Sequence, residues 1–181
     1  MKKIEIINWI MLLLVFCSAC KATAQSETST MTEIQEQGTS ASAPRGAASA
    51  DELAEKLFVS IQAANVGAMD QYFLSEGEIS TIQEKGSPEM RAVFRNLTAE
   101  QISGRFKEDY NQMIARSVSR NINWAEVNLA EAIPRKETNK GQPLFPVEMV
   151  LRDRANQEIK VVFEAIYLNG RYFLFRQIAF A

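Results

Sequence analysis

The apolar positions between residues 50 and 117 recur every three or four residues, which is the period of an α-helix. The clearest stripe follows Ser49-Ala50-Asp51-Glu52, where Ser49 can begin a helix and Glu52 can reach back to it as a capping box. The members of the stripe are Leu53, Leu57, Phe58, Ile61 and Ala64. We expect this first helix to end at residues 65–67, with Gly67 in the left-handed conformation.

Further helical segments follow before residue 120. Residues 68–74 predict a short helix, and the polar residues 75–87 predict a loop. A helix restarts with Pro88 at its first position, where proline is favoured. Residues 98–101 form a second capping box and begin a longer helix that we expect to reach about residue 117. Its stripe consists of Ile102, Phe106, Tyr110, Met113, Ile114 and Ser117.

Beyond Arg120 the apolar period becomes two, which is typical of β-strands. The parity slips near residues 125–126, which predicts a β-bulge at Glu126. Residues 134–143 predict a charged loop, and Asn169-Gly170 predicts a tight hairpin turn between two strands. The last strand, residues 172–180, is apolar on both faces and should be central or covered. The strands before it alternate at Phe145, Val147, Met149 and Leu151, and at Ile159, Val161, Phe163, Ala165 and Tyr167.

Helices followed by antiparallel strands are typical of an α+β domain, with N-terminal helices packed on one face of a curved sheet. The long first helix, the turn at residues 65–70 and the final hairpin at residues 168–173 resemble the NTF2-like superfamily, especially its small exported bacterial members. The resemblance covers about residues 50–181 and implies a cone-shaped α+β barrel. A cystatin-like arrangement is the alternative, although its single main helix fits poorly with three or four helical segments.

The first 24 residues have the features of an export signal. Lys2 and Lys3 precede an apolar stretch whose densest part, residues 10–16, is shorter than the roughly 20 residues of a spanning helix. Cys17-Ser18-Ala19-Cys20 resembles a bacterial lipobox, although Cys17 stands where that motif usually has a branched aliphatic residue. We therefore expect either lipidation at Cys20 or cleavage after Ala24, and both place the protein in a bacterial cell envelope, as an anchored lipoprotein or as a soluble exported protein.

Residues 25–49 are rich in Ser, Thr, Ala, Gln and Gly, and they predict a disordered polar tether. Residues 50–181 then form a single α+β domain of ordinary size. The chain has only two cysteines, both before residue 21, so no disulfide is expected in the domain. The net charge of −2 and the absence of a basic stripe make nucleic acid an unexpected partner.

The chain contains no histidine, which excludes Ser-His and Cys-His nucleophiles and histidine metal sites. We expect no metal and no cofactor, because no phosphate loop, dinucleotide fingerprint or calcium loop is present. Some NTF2-like enzymes use Asp and Tyr inside the cone. The resemblance therefore implies Asp70 and Tyr110 as weak candidates for an isomerase or hydrolase, and such a pair needs a carboxylate whose pKa is raised by burial.

The leading hypothesis is a non-catalytic envelope domain that binds a small apolar ligand or an envelope protein. An enzyme that uses the Asp/Tyr pair and a purely structural homodimer are the alternatives, and NTF2-like domains often pair through the sheet. If the cone is open, we expect its wall to be aromatic, with Arg176 as a partner for an anionic ligand. The expected wall consists of Phe106, Trp124, Phe145, Phe163 and Phe175.

Overall fold

In a computed structural model that describes residues 44–135 and 144–181, four α-helices precede four β-strands. The described residues belong to one compact unit, which confirms the α+β class. Two 3₁₀ helices, Val66–Tyr72 and Trp124–Glu126, lie between these elements. The helices are α1 (Ala50–Gln62), α2 (Glu76–Lys85), α3 (Pro88–Phe94) and α4 (Ala99–Ser119), and the strands are β1 (Asn128–Pro134), β2 (Leu144–Arg152), β3 (Glu158–Leu168) and β4 (Arg171–Phe180).

The helix starts follow their capping residues. Ser49 accepts the backbone N–H of Glu52, and Thr98 forms the predicted capping box with Gln101. The prediction of a loop at residues 75–87 was wrong, because most of this segment is α2. Ser75 begins that helix with a capping box of its own, and Ile79 and Ile82 are buried beneath it.

The residue in the left-handed conformation after α1 is not the predicted one. Ala64 takes this conformation, with φ 48°, while Gly67 does not. The Ser60 hydroxyl donates to the carbonyl of Asn65 at 2.7 Å, and the Asn65 N–H donates back to the Ser60 carbonyl at 3.0 Å. These two bonds close the chain directly after the helix, so the turn is complete before Gly67.

The four strands form an open antiparallel sheet in the order β1-β2-β3-β4. Residues 124–126 form a 3₁₀ turn instead of the predicted bulge, because the Asn123 side chain accepts the Ala125 N–H. The register shift in this region lies between Leu129 and Glu131. The Asn169-Gly170 hairpin is confirmed, with φ 50° and 80° at the two residues.

Helices cover both faces of the sheet, not one face as predicted. A large cluster on one face joins α1 and α4 to side chains such as Leu174 and Ile178 of β4. A second cluster joins α2 and α3 to Phe173 and Phe175, which point to the opposite face. Strand β4 is therefore covered, as its sequence indicates, but it is an edge strand and not a central one.

The domain includes residues before the predicted boundary at residue 50. Ala47 is fully buried and forms an antiparallel bridge with Tyr172 of β4. The Arg171 guanidinium donates to the carbonyl of Arg45, and Phe73 forms a parallel bridge with Leu174 farther along the strand. Residues 44–49 thus belong to the domain, whereas the predicted signal, Cys20, the tether up to residue 43 and the loop at 136–143 lie outside the described residues.

Candidate functional site

The aromatic residues predicted to line a ligand pocket are core residues. Phe106 and Phe163 are fully buried in the large cluster, and Phe175 is fully buried in the second cluster on the other face of the sheet. Phe145 is half-buried and packs edge-on against Tyr172 at 5.9 Å between ring centroids. None of these residues, nor Trp124, lines any of the four cavities found around the described residues.

The structure does not bring the two catalytic candidates together in a buried site. The Asp70 side chain is 65% exposed and forms an ion pair with Lys107 at 2.8 Å. Tyr110 is buried, and its hydroxyl donates to the carbonyl of Ser60 at 2.7 Å. Burial raises the pKa of Tyr110, and the hydrogen bond with Ser60 opposes that rise. The desolvated carboxylate that acid–base chemistry would need is therefore not at Asp70.

Arg176 lies on the outside of the domain. It is exposed, pairs across the strands with Glu164, and places its guanidinium 4.7 Å from the ring centroid of Phe175. The strand bulges on both sides of it, and the bulged residue Gln177 has φ 25°. An interior role for Arg176 as the partner of an anionic ligand is excluded by this placement.

The largest of these four cavities is a polar cleft of about 700 Å³ at one end of the sheet. We call it the terminal cleft. Three segments that are distant in the sequence line it: the turn after α4, the 3₁₀ turn before β1, and the turn between β2 and β3. Its lining consists of residues 120–123, 126–127, 153–155, 157–160 and Ala181.

Local hydrogen bonds shape each wall of the terminal cleft. After α4 the chain reverses at Asn121, with φ 55°, a conformation that asparagine tolerates. The Ile122 N–H then donates to the carbonyl of Ser117 at 3.0 Å. On the opposite wall, the Asp153 carboxylate accepts the Gln157 N–H at 2.8 Å and holds the β2–β3 turn closed.

Most charges in the terminal cleft are paired. Arg154 contacts Glu126 at 3.0 Å and so joins the β2–β3 turn to the 3₁₀ turn. Lys160 contacts Glu158 at 3.1 Å and the buried Glu148 at 3.3 Å, and hydrogen bonds from these two carboxylates raise the pKa of Lys160. Glu148 also pairs with Arg135, which does not line the terminal cleft.

Among the cations of the lining, Arg120 differs from Arg154 and Lys160, since its side chain has no ion pair with any described residue. Its guanidinium lies 4.2 Å from the ring centroid of Phe180. The Phe180 ring in turn stacks on Trp124, with the planes 6° apart and the centroids 6.3 Å apart. The Trp124 indole N–H donates to the Ser117 hydroxyl at 2.9 Å. Trp124, which was predicted to line the ligand pocket, therefore packs behind one wall of the terminal cleft.

The described residues offer no other obvious chemistry. Within residues 44–135 and 144–181, no group of three or more acidic or cysteine side chains could hold a metal ion. Within the same ranges, none of the helices has both the length and the apolar character needed to span a membrane. The terminal cleft is consequently the best candidate for a functional site in the described part of the chain.

Comparisons of the chain with protein-family models, with curated proteins and with solved structures found no match. The NTF2-like resemblance therefore stays a prediction, and the terminal cleft has to be interpreted from its own residues. Sequence reasoning missed Arg120, Asn123 and Arg154. The available signals were a polar run directly after a long helix and the polar turn 153–157 between two alternating strands, but neither shows that the two segments meet.

Proposed function

We propose that the protein is a non-catalytic binding module of the bacterial cell envelope that holds a segment of a partner protein in the terminal cleft. The observation that carries this proposal is the contrast between a filled interior and an open polar cleft. A site of this size with many hydrogen-bonding groups suits a polar chain segment. The terminal cleft is also formed by turns, which commonly carry binding residues.

A small apolar ligand receives little support. The aromatic residues that were expected to surround it pack on each other and on the helices, for example Phe73 on Phe106 at 5.4 Å and Phe94 on Phe175 at 5.0 Å. Opening a pocket among such rings would forfeit the packing that stabilises the core. Of the two partners in the leading hypothesis, an envelope protein bound at the surface is therefore favoured over a small apolar ligand.

An enzyme is disfavoured on chemical grounds. Histidine is absent from the whole chain, and the two cysteines precede residue 21. The carboxylates of the terminal cleft are held in ion pairs or hydrogen bonds, namely Glu126 with Arg154, Glu158 with Lys160, and Asp153 with the Gln157 N–H. These contacts favour a preformed recognition surface over a general acid or base.

The location in the cell envelope and the NTF2-like cone are parts of the same proposal. The predicted export signal in residues 1–24 and the predicted polar tether after it support a protein held near a membrane, with Cys20 as the proposed lipid attachment site. The order of helices and strands and the Asn169-Gly170 hairpin support an NTF2-like cone. Four α-helices fit the cystatin-like alternative less well.

The test is a pair of tryptophan substitutions on tagged full-length protein in the organism that carries it. Ala155 is exposed and lines the terminal cleft, so Ala155→Trp should block it. Val59 is 60% exposed on α1, so Val59→Trp is a matched control on another surface. Proteins recovered with each variant are quantified by mass spectrometry, and the folded state is checked by circular dichroism.

We expect one or a few proteins to be recovered equally with the wild type and with Val59→Trp, and at least tenfold less with Ala155→Trp. If the partner is a second copy of the chain, the wild type should form an oligomer that Ala155→Trp does not form. That result would show that the terminal cleft binds another copy of this protein. Equal recovery with all three proteins would show that the terminal cleft is not the binding site.

A further inference from the structure

We infer that the terminal cleft recognises a carboxylate group of its partner, carried by an acidic peptide segment, at the guanidinium of Arg120. This inference rests on the proposed function and adds the chemistry of the bound segment. It concerns a site on the turn after α4, where Arg120 and Asn121 begin one wall of the terminal cleft.

The lining holds as many side-chain carboxylates as cations, and it is the pairing of its three cations that points to an anionic group. Arg154 is neutralised by Glu126, and Lys160 is neutralised by Glu158 and Glu148. Arg120 has no ion pair among the described residues, so it remains as the one uncompensated cation of the lining within that part of the chain. A ligand with a single negative charge would complete the pairing.

The guanidinium of Arg120 is also oriented before any ligand arrives. It stacks over Phe180, and Phe180 is itself held in a parallel stack by Trp124. The Trp124 indole N–H donates a hydrogen bond of 2.9 Å to the Ser117 hydroxyl, and this bond holds the Trp124 ring in place. A guanidinium that lies over an aromatic ring keeps N–H donors for other partners, and a carboxylate can accept two of them. Preorganisation of this kind lowers the entropic cost of binding.

A second donor lies on the same wall. Asn123 lines the terminal cleft, and its side-chain oxygen accepts the Ala125 N–H at 3.3 Å, so its amide NH₂ group remains as a donor. Glu126, Asp153 and Glu158 surround the cleft as well, and their charges would repel a doubly charged phosphate more strongly than a carboxylate. The lining therefore favours a monoanion.

The experiment follows the arginine side-chain Nε–Hε signals of full-length ¹⁵N-labelled protein in detergent by NMR. The signal that disappears in Arg120→Lys identifies Arg120. The probes are the tripeptides acetyl-Ala-Glu-Ala-amide and acetyl-Ala-Gln-Ala-amide, the free acid acetyl-Ala-Ala-Ala, and inorganic phosphate. Comparison of the first and third probes distinguishes a side-chain carboxylate from a chain terminus.

We expect the Glu peptide to shift the Arg120 signal saturably and to bind at least tenfold more tightly than the Gln peptide. Arg120→Gln should weaken the Glu peptide at least tenfold. Arg116→Gln, one turn earlier on the same helix and outside the cleft lining, should change its affinity less than twofold. Equal binding of the Glu and Gln peptides, equal effects of the two arginine substitutions, or tighter binding of phosphate would each overturn the inference.

The two proposals can fail separately. If Ala155→Trp removes the partner while Arg120→Gln affects neither the partner nor the Glu peptide, the carboxylate site is wrong and the binding module stands. If Arg120→Gln abolishes Glu-peptide binding while Ala155→Trp keeps every partner, the carboxylate site stands and the proposed function is wrong.

Discussion

At the scale of single residues, the polar groups of the interior are satisfied by their neighbours. Tyr110 donates to Ser60, and the Trp124 indole donates to Ser117. Among the described residues, no buried side-chain nitrogen or oxygen lacks a hydrogen-bond partner. A tyrosine on an apolar helix stripe is therefore explained here by packing, with its hydroxyl closing a contact between α4 and α1.

Replacement of Tyr110 by phenylalanine tests this structural role. The Ser60 carbonyl keeps its bond from the Asn65 N–H, so Tyr110→Phe should lower the free energy of unfolding at pH 7 by only about 1 kcal/mol. Because burial raises the pKa of Tyr110 in the folded state, the unfolded chain loses the phenolic proton first as pH rises. The wild type should therefore lose stability above about pH 10, the ordinary tyrosine pKa, and this loss should be smaller in the variant.

Urea denaturation of the full-length protein between pH 7 and pH 11 measures the effect, with Tyr167→Phe as an exposed control. Parallel stability curves for the wild type and Tyr110→Phe over the whole range would show that the Tyr110 hydroxyl is not in the buried environment described here.

The sequence predicts burial of individual residues better than their roles. The apolar period places Phe106 and Phe163 inside, and both are buried. The same period does not distinguish a pocket wall from solid core, because that depends on whether facing side chains fill the space. The polar run after α4 does not single out Arg120, since its significance comes from its contact with Phe180 and from the lack of an ion pair with any described residue.

At the scale of elements, β4 shows how an apolar edge strand is protected. Its two faces are covered by the two clusters, and its outer backbone edge is met at Tyr172 by Ala47 and at Leu174 by Phe73. The segment that contains Ala47 is held by Arg171, whose guanidinium donates to the carbonyls of residues 44–46. An unprotected edge of this kind would be a site for aggregation.

A pair of glycine substitutions tests the close approach of this segment. Gly46 has φ 76°, and a Cβ there would lie 2.8 Å from the Phe173 ring, so Gly46→Ala should destabilise the protein by about 1–3 kcal/mol. Gly104 lies in α4 with open space around it, so Gly104→Ala should stabilise the protein by up to about 1 kcal/mol. Urea denaturation of both full-length variants measures the sign of the change in the free energy of unfolding for each substitution.

A neutral or stabilising Gly46→Ala would mean that the segment before α1 does not pack on β4. The Gly104 variant controls for a general effect of alanine, because it differs only in the backbone conformation and the space available.

Element prediction succeeded where the determinants are local. The capping residues Ser49 and Thr98 and the Asn169-Gly170 turn act within four residues of themselves, and each is confirmed. Helix α2 was missed because Gly77 and the polar residues around it are typical of a loop, while the burial of Ile79 and Ile82 that stabilises it comes from distant parts of the chain. Tertiary contacts of this kind override local propensity.

At the scale of the whole domain, the fold separates a packed interior from a polar surface cleft. Helices pack on both faces of the sheet, and a cleft of about 700 Å³ is built from turns at one end. Residues 120–123 and 153–157 meet there only because the C-terminal end of α4 and the β2–β3 turn lie at the same end of the sheet. The α+β class could be predicted from the order of periodic segments, whereas this meeting could not.

The most direct test of the account places a photo-crosslinking amino acid at position 155 in the terminal cleft, and at position 59 on α1 as the control, in living cells. The account predicts a specific crosslinked protein from position 155, mapped by mass spectrometry to a segment that contains a carboxylate, and no such product from position 59. Crosslinking that is absent at position 155, or equal at the two positions, would contradict the claim that this protein binds its partner through the terminal cleft.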